Sequence, residues 1–468
     1  MFTLHDLVAV TGNRANSSVP KLAMRGIQID SRLDVRNKLF VAIRSPNRNG
    51  DEYARDAYES GASAVLVHQT IEGIPPERQI IVPDTLKTLT SLGKRLRKAA
   101  PVKHVIGVTG SNGKTTAKDA LAAALSSVGP VKKSPYSFNN ELGVPITLSE
   151  IEKSTRFAVL ELGAQTQGEI RSHCHVAIPT DGLITNIGRA HLGLFGSPEQ
   201  LLNAKSELAE FLNACGTIAL NADDPKMHLI AKKTKARVIW YGSEGPNISV
   251  SNTCVTAPNL SGSRIQLRTQ AGVFELDVPA VGSHIGLAFA GAMALGTGIG
   301  IDPSDLAEGL QSFKPATRRM QIKQFGTSLI LDDSYNSNKD SALYALSQIK
   351  AARLVNRRIA VLGDMLELGQ YSEDDHYAVG AQATFLDKLY TVGHFSKTIG
   401  RAASIAGLSK CTHSHFEYEY TNLEKTTQAI DLVAEEIIND SQDNDLILIK
   451  GSNALQLDML VDKLTLAQ

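Results

Sequence analysis

The segment Thr109–Thr116, which reads TGSNGKTT, constrains the fold of this chain more than any other feature of the sequence. A mostly apolar run, His104–Gly110, leads into it, and a stretch with helical character from about Thr115 to Ser127 follows. Glycines in a strand–loop–helix unit of this kind let backbone N–H groups approach phosphate oxygens, and the helix N-terminus adds a favourable dipole. The sequence therefore predicts a phosphate-binding loop inside an α/β domain.

The predicted loop departs from the usual spacing, because Val108 stands where the Walker pattern has its first glycine. In such a loop Lys114 is expected to contact the β- and γ-phosphates, and the Thr115 hydroxyl is expected to bind Mg²⁺. The alternative is a glycine-rich turn that carries a lysine by chance. The predicted nucleotide contacts in the loop are Thr109, Gly110, Ser111, Asn112, Gly113, Lys114, Thr115 and Thr116.

Alternation of strand-like and helical runs along the 468 residues predicts an α/β protein with mainly parallel sheets. The chain is too long for one ordinary core, so we expect several domains. Pro101 and the segment Lys314–Ala316 suggest boundaries, which gives predicted domains at 1–100, 101–314 and 315–468. Within the second, Ile248–Val281 alternates polar and apolar residues and predicts an appended antiparallel sheet. A helical pattern then runs from Ile285 to about Leu310.

Charge and hydropathy exclude several classes of function. Lys plus Arg and Asp plus Glu both number 48, so no overall basic field favours nucleic acid or an anionic membrane. No run of 18 apolar residues is present, and the start of the sequence lacks the pattern of a secretion signal. The cysteines (Cys174, Cys215, Cys254 and Cys411) are widely spaced. We expect free thiols in a cytoplasmic protein that does not insert into membranes.

Further segments follow the phosphate loop in a recognisable order. They are Asn139–Pro145, which reads NNELGVP, then Glu161–Ala164, then Thr185–Gly193, which reads TNIGRAHLG, and Ala204–Glu207. Together with the shortened TGxxGKTT loop, this series resembles the Mur ligase family of ATP-dependent amide-bond ligases. The resemblance implies three α/β domains: an N-terminal substrate-binding domain, a central ATP-binding P-loop domain and a C-terminal Rossmann-like domain.

Four more segments resemble one branch of that family, the branch that joins D-alanyl-D-alanine to UDP-N-acetylmuramoyl tripeptide. They are Asp30–Arg32, Asp332–Asn338, Leu362–Gly369 and Lys450–Ser452. The resemblance implies that the chain uses ATP and Mg²⁺, with two metal sites, and acts as a monomer on these two substrates. It makes an acyl phosphate the expected intermediate. Three alternatives stay open: a family paralogue with other substrates, a P-loop ATPase or kinase that joins no amide, and a binding protein without turnover.

The resemblance also assigns roles to residues. Glu161, His191 and a carbamylated Lys205 are expected to bind a second divalent cation, and Arg319 is expected to meet the phosphates when the domains close. A neutral lysine can react with CO₂ to give an anionic carbamate, whereas Lys⁺ beside two cations would be repelled. The alternatives without a role in metal binding are a solvated Lys205, a strand-end salt bridge at Glu161 and a structural His191. Other implied contacts are Asp333, Tyr335 and Asn336 for the nucleotide, and Ser31, Arg32, Asn139 and Asn140 for the substrate.

The sequence departs from the family pattern where nucleotide and substrate contacts are expected. Ile285 and Ala288 stand where the family has asparagines, Asn453 replaces a basic residue, and Asn336–Lys339 replaces the usual NANP. Asn49–Tyr53 replaces DGHDF, and we expect its added acid to face a substrate diphosphate and weaken binding.

The remaining motif with metal-binding residue types is His173-Cys174-His175. In an extended strand its two histidines would share one side, but no second pair of ligands lies at zinc spacing. We therefore predict a core or surface position for it.

Overall fold

The computed structural model describes residues 1–11, 22–46, 48–243, 248–409, 412–418 and 423–466, with the side chains of 423–425 excepted. Cys411 lies outside these residues. Within the described ranges, the larger sheets have four, nine and six strands, and most of their neighbouring strands run parallel. The predicted α/β class with parallel sheets is confirmed.

The N-terminal domain contains a parallel sheet in the order β3-β4-β7-β8. Apolar side chains on β4 and β7 are buried on both faces, as expected for strands covered on both sides. The elements are β1 (Phe2–Thr3), α1 (Leu4–Thr11), β2 (Ala23–Met24), β3 (Ile27–Gln28), β4 (Leu39–Val41), β5 (Arg44–Ser45), β6 (Arg48–Asn49), α2 (Ala54–Glu59), β7 (Ala64–Val67), β8 (Gln79–Ile81) and α3 (Thr85–Ala99).

The central domain begins with the predicted strand, loop and helix. Its parallel strands follow the order β10-β11-β9-β12-β13-β14. The phosphate loop therefore leaves β9 with strands on both sides, at the carboxyl edge where ligands bind in sheets of this type. The elements are β9 (His104–Thr109), α4 (Lys114–Ser126), β10 (Val131–Lys133), α5 (Gly143–Ser149), β11 (Phe157–Glu161), α6 (Glu169–Ala177), β12 (Asp181–Ile184), α7 (Leu192–Phe195), α8 (Pro198–Phe211), β13 (Thr217–Asn221), α9 (Met227–Ala231) and β14 (Arg237–Gly242).

The appended antiparallel sheet predicted for Ile248–Val281 is present as β15 (Val250–Thr256), β16 (Ser263–Thr269) and β17 (Gly272–Val278). The helical pattern that follows it is divided into two helices, α10 (Ser283–Gly298) and α11 (Pro303–Leu310). The break comes where Asp302 caps α11 by accepting a hydrogen bond from Ser304 N at 2.8 Å. The following proline sits at the first turn, where its missing N–H costs nothing.

Glycine and alanine dominate α10, which is buried along most of its length. It packs between α4 and strands of the central sheet. Small side chains allow this close approach, which accounts for the apolar run. Over the ranges that the structure describes, no helix is both long and apolar enough to cross a membrane.

The C-terminal domain has the strand order β18-β19-β23-β20-β21-β22, parallel except for β18 against β19. Asp332 and Asp333 end β19, and Asp333 lines the same cavity as the phosphate loop. The elements are β18 (Gln321–Phe325), β19 (Ser328–Asp333), α12 (Lys339–Ala351), β20 (Arg358–Gly363), α13 (Ser372–Ala381), β21 (Lys388–Val392), α14 (Lys397–Ile405), β22 (His413–Phe416), α15 (Leu423–Asp440), β23 (Leu446–Lys450) and α16 (Asp458–Leu466).

Candidate active site between the central and C-terminal domains

A cavity of about 650 Å³ lies between the central and C-terminal domains, with the phosphate loop on one wall. Residues 111–116 of the loop line it, and Asp333, Tyr335 and Asn336 line it from the other domain. Thr109 and Gly110 lie at the base of the loop, where the Thr109 hydroxyl donates to Leu162 O at 2.7 Å. The structure thus brings the predicted nucleotide contacts of both domains to one cavity and its floor.

Lys114 begins α4 and is held over the loop, where its Nζ donates to Gly110 O at 2.9 Å and to Ser111 O at 3.0 Å. Burial lowers the pKa of Lys114, the charge of Glu161 opposes this and the charge of Arg319 adds to it, with a net pKa of about 8. A desolvated ammonium gains strongly from an anion that enters beside it. Lys114 is therefore placed to receive a phosphate group.

Glu161 ends β11 and faces the loop with its side chain almost fully buried. Its Oε2 accepts a hydrogen bond from the Thr115 hydroxyl at 2.9 Å, and its Oε1 accepts one from Asn139 Nδ2 at 2.9 Å. The Asn140 side chain instead turns back to accept from Gly143 N at 3.0 Å, although the residue also lines the cavity. A carboxylate, a hydroxyl and an amide thus converge beside the loop, and oxygen donors of this kind suit Mg²⁺.

Lys118 is a site residue that the sequence analysis missed. It is buried, lies 3.7 Å from Glu161 Oε2, and donates a short hydrogen bond to Tyr136 O. Its place four residues after Lys114 on one helix puts both lysines on the same face. That spacing could have identified it.

Lys205 lies on α8 behind the cavity wall, where its Nζ donates to Ala164 O at 3.4 Å. Its side chain is buried over the Phe195 ring. Burial, followed by the charge of Lys114, lowers the pKa of Lys205 to about 7. The alternative that Lys205 is a solvated lysine is therefore wrong.

His191 lies at the start of α7 and lines the cavity, but it faces the C-terminal domain. Its Nδ1 contacts Oε2 of Glu367 in a short hydrogen bond, which lowers the pKa of the Glu367 carboxyl. Within the described ranges, no group of three or more His, Cys, Asp and Glu side chains is close enough to bind a metal ion. The structure joins Thr115 to Glu161, and it joins His191 to a residue of the C-terminal domain.

The C-terminal domain adds cations and an aromatic ring. Arg319 lies over Tyr335, with 4.1 Å from its guanidinium carbon to the ring centre, and donates to Ser137 Oγ of the central domain at 3.2 Å. Lys450 Nζ donates to Asp333 Oδ2 at 2.6 Å and to Asn336 O at 2.9 Å. Asp332 and Asp333 end β19, and Asn338 is the residue that caps α12.

One expectation about another motif needs correction. His173-Cys174-His175 lies on helix α6, not on an extended strand, and His173 lines the cavity. The alternation that suggested a strand was too short to separate the period of a helix from that of a strand.

His284 and Tyr344, which the sequence analysis missed, also line the cavity. A ring nitrogen of His284 lies 3.3 Å from the Tyr344 hydroxyl. Burial lowers the pKa of His284 to about 4.

The positions that depart from the family pattern fall in different environments. Ile285 packs in the core of the central domain, while Ala288 lines the cavity. Asp51 is buried and bonded to Arg44 Nη2 at 2.7 Å and His68 Nδ1 at 3.0 Å. The expectation that this acid faces a diphosphate was therefore wrong. Ser31 and the exposed Arg32 lie in the N-terminal domain, where Arg32 pairs with Asp30 at 2.6 Å.

Models of two protein families match the chain where this geometry lies. The Mur ligase middle domain matches residues 108–296, and the Mur ligase glutamate ligase domain matches residues 318–453. The chain belongs to the Mur ligase family. The two matches meet across the cavity, so the phosphate loop and the closing domain of this chain are both parts of a Mur ligase.

Relatives of known activity align with the chain over nearly its whole length. The UDP-N-acetylmuramoyl-tripeptide–D-alanyl-D-alanine ligase of Bacillus subtilis is 30% identical and covers 97% of this chain and 96% of its own length. The ligase of the same name from Synechocystis is 32% identical, with 95% and 92% covered. The crystal structure of MurF from Acinetobacter baumannii superposes with a TM-score of 0.83 at 27% identity, covering 99% of this chain and 98% of that one. The three-domain Mur ligase architecture is thus confirmed.

Proposed function

We propose that this chain is the ATP-dependent ligase that joins D-alanyl-D-alanine to UDP-N-acetylmuramoyl tripeptide, a step in peptidoglycan precursor synthesis. The full-length similarity to ligases of that name supports the substrates. The observation that carries the chemistry is the convergence of Lys114, Glu161 and Arg319 on one cavity between two domains. We assign the reaction to the cytoplasm, where ATP is available, and to a monomer, since the described residues that line the cavity all belong to one chain.

The reaction follows from the charges in the cavity. A carboxylate oxygen of the tripeptide attacks the γ-phosphorus of ATP, the bond to ADP breaks, and an acyl phosphate forms. The amine of D-alanyl-D-alanine then attacks the acyl carbon, loses a proton to solvent, and phosphate leaves. Lys114 and Arg319 reduce the repulsion between the carboxylate and the phosphates, because both bring positive charge to the cavity.

The donor set fits a divalent cation beside the phosphate loop. Thr115 and Glu161 supply buried oxygen atoms 2.9 Å apart next to the cavity. We assign Thr115 to one Mg²⁺ site and Glu161, His191 and a carbamylated Lys205 to a second. Bound Mg²⁺ would offset the negative charge of the phosphates.

The lowered pKa of Lys205 supports the carbamate, because the neutral amine is the form that reacts with CO₂. Ser31, Arg32, Asn139 and Asn140 are assigned to the UDP-linked substrate. We also propose domain boundaries after residues 100 and 314, since α3 ends at Ala99 and β18 begins at Gln321.

The decisive experiment measures phosphate release with ATP, the UDP-linked tripeptide and D-alanyl-D-alanine, omitting each in turn. Release that requires all three is expected. Release without the amine would indicate an ATPase, and phosphate retained on the product would indicate a kinase. Activity that appears only with a different carboxylate or a different amine would indicate a paralogue with other substrates. Failure to bind Mg-ATP in calorimetry would indicate a protein without turnover.

A further inference from the structure

Two loops from different domains interlock at the edge of the cavity. One is His191–Gly193 of the central domain and the other is Glu367–Gly369 of the C-terminal domain. Gly193 N donates to Glu367 O at 3.0 Å, and a Cβ added at Gly193 would lie 2.4 Å from Gly369 N. The two backbones are therefore in direct contact, closer than any side chain at Gly193 would allow.

The two residues that lead these loops are both strained. His191 has φ +60° and Glu367 has φ +63°, the left-handed region that a residue with a Cβ normally avoids. Each such conformation costs on the order of 1 kcal/mol and persists where surrounding contacts enforce it. Here the strained residues face one another, since His191 Nδ1 and Glu367 Oε2 form a short hydrogen bond. The backbone strain on both sides thus serves the meeting of these two side chains.

The contact fixes which ring nitrogen of His191 carries a proton. An ionised carboxylate only accepts hydrogen bonds, so Nδ1 must be the protonated nitrogen. A neutral ring then keeps its lone pair on Nε2. Gln165 Nε2 donates to the second oxygen, Glu367 Oε1, at 3.3 Å and so holds the carboxylate. The ring orientation and the tautomer of a cavity residue therefore depend on a residue of the other domain.

We propose that Glu367 is a positioning residue that prepares His191 Nε2 to bind a divalent cation, and does so only when the C-terminal domain has closed. Carboxylates that accept the second N–H of a metal-binding histidine commonly act this way. The proposal rests on the proposed function, because that function supplies the role of His191. It adds that the ligand set becomes complete through domain closure.

A neighbouring ion pair provides a matched control. Arg189 Nη2 of the central domain lies 3.1 Å from Asp375 Oδ1 of the C-terminal domain. The Arg189 guanidinium also lies over the Tyr371 ring at 5.1 Å. This pair crosses the same interface without touching the His191 ring. Asp375→Asn removes one charge from this interface, while the contact of Arg189 with Tyr371 remains and the tautomer of His191 is unchanged.

The test is Mn²⁺ binding, measured by electron paramagnetic resonance in the presence of a non-hydrolysable ATP analogue. Glu367→Gln can donate as well as accept, so it no longer fixes the tautomer. We expect it to weaken one Mn²⁺ site about 10-fold and to spare the other. Asp375→Asn should change both by less than about 2-fold. In a His191→Gln background, Glu367→Gln should have no further effect, because its action passes through the ring.

Gln165→Leu is a second, milder variant that removes only the hydrogen bond to Glu367 Oε1. It should weaken the same Mn²⁺ site in the same direction, which keeps the test valid if Glu367→Gln folds poorly. Equal Mn²⁺ affinities for wild type, Glu367→Gln and Gln165→Leu would overturn the proposal, as would additive effects in the His191→Gln background. If the coupling is found but the UDP-linked tripeptide is not ligated, the proposed function fails while this inference stands.

Discussion

Asn338 of the C-terminal domain donates a hydrogen bond from Nδ2 to Oδ1 of Asn112, in the phosphate loop of the central domain, at 2.7 Å. The same asparagine caps α12, where its Oδ1 accepts from Ser341 N at 3.0 Å. One side chain therefore starts a helix and joins two domains. This hydrogen bond links the phosphate loop directly to the C-terminal domain.

Asn338→Ser is expected to keep the helix cap, since serine caps well, but to lose the reach to Asn112. The lost hydrogen bond is worth roughly 1 kcal/mol, so KM for ATP should rise about 5-fold. Asn338→Ala removes the cap too and should lower the melting temperature as well. Steady-state kinetics and thermal unfolding separate the two effects. A wild-type KM for Asn338→Ser would show that the interdomain bond does not help nucleotide binding.

Lys114→Ala is expected to lower kcat at least about 100-fold, because it removes the buried cation beside the transferred phosphate. Lys103→Ala is the control, since Lys103 is exposed at the approach to the same strand. Circular dichroism should give the same spectrum for both variants. Full activity in Lys114→Ala would remove the phosphate loop from the mechanism.

If Lys205 is carbamylated as proposed, the activity is expected to depend on CO₂ and on pH. Since its pKa is lowered to about 7, the reactive neutral amine dominates above that pH and the ammonium below it. At a fixed concentration of dissolved CO₂, enzyme depleted of CO₂ should regain activity faster at pH 8 than at pH 6. A ¹³C NMR carbamate signal after addition of labelled bicarbonate should appear in wild type and be absent in Lys205→Arg. Recovery that is independent of CO₂ would rule out the carbamate.

The buried strands and the order of the elements were predicted best, because both follow from the pattern of apolar residues along the chain. The apolar run His104–Gly110 forms β9 (His104–Thr109) as expected, because buried parallel strands are short apolar runs between turns. In contrast, the edge strand Gln321–Phe325 was missed, since its mixed polar pattern reflects a half-solvated position. The break between α10 and α11 needed the capping role of Asp302, which competes with a continuous apolar pattern.

Contacts between the domains could not be predicted from the sequence, for a different reason. The pairs His191–Glu367 and Asn112–Asn338 join residues separated by 176 and 226 positions. No local propensity encodes such a pairing, which depends on how the domains close. Burial could not be predicted either. Asp51 was expected to repel the substrate diphosphate, but it is buried and paired with Arg44 and His68.

Arg44 has the geometry of an anion-binding residue in the N-terminal domain. Its side chain is 46% exposed, yet its guanidinium is fixed by Asp51 Oδ2 at 2.7 Å and by Asn49 Oδ1 at 3.1 Å. Burial raises the pKa of Asp51, but hydrogen bonds from His68 and Arg44 more than offset this and lower it. The carboxylate stays charged and buried, so it orients Arg44 while its own charge is screened from an approaching substrate.

Arg44→Gln is therefore expected to raise KM for the UDP-linked tripeptide about 10-fold, because a fixed, half-exposed guanidinium binds phosphate strongly. KM for ATP and kcat should stay within about 2-fold, since Arg44 lies in another domain from the phosphate loop. Arg36→Gln is the matched control: Arg36 is also exposed and paired with an aspartate, Asp34, at 2.7 Å. The measurement is steady-state kinetics with the tripeptide varied at two salt concentrations. The increase should shrink at high salt, because screening weakens the wild-type attraction. Equal KM values for both variants would place the diphosphate elsewhere on the domain.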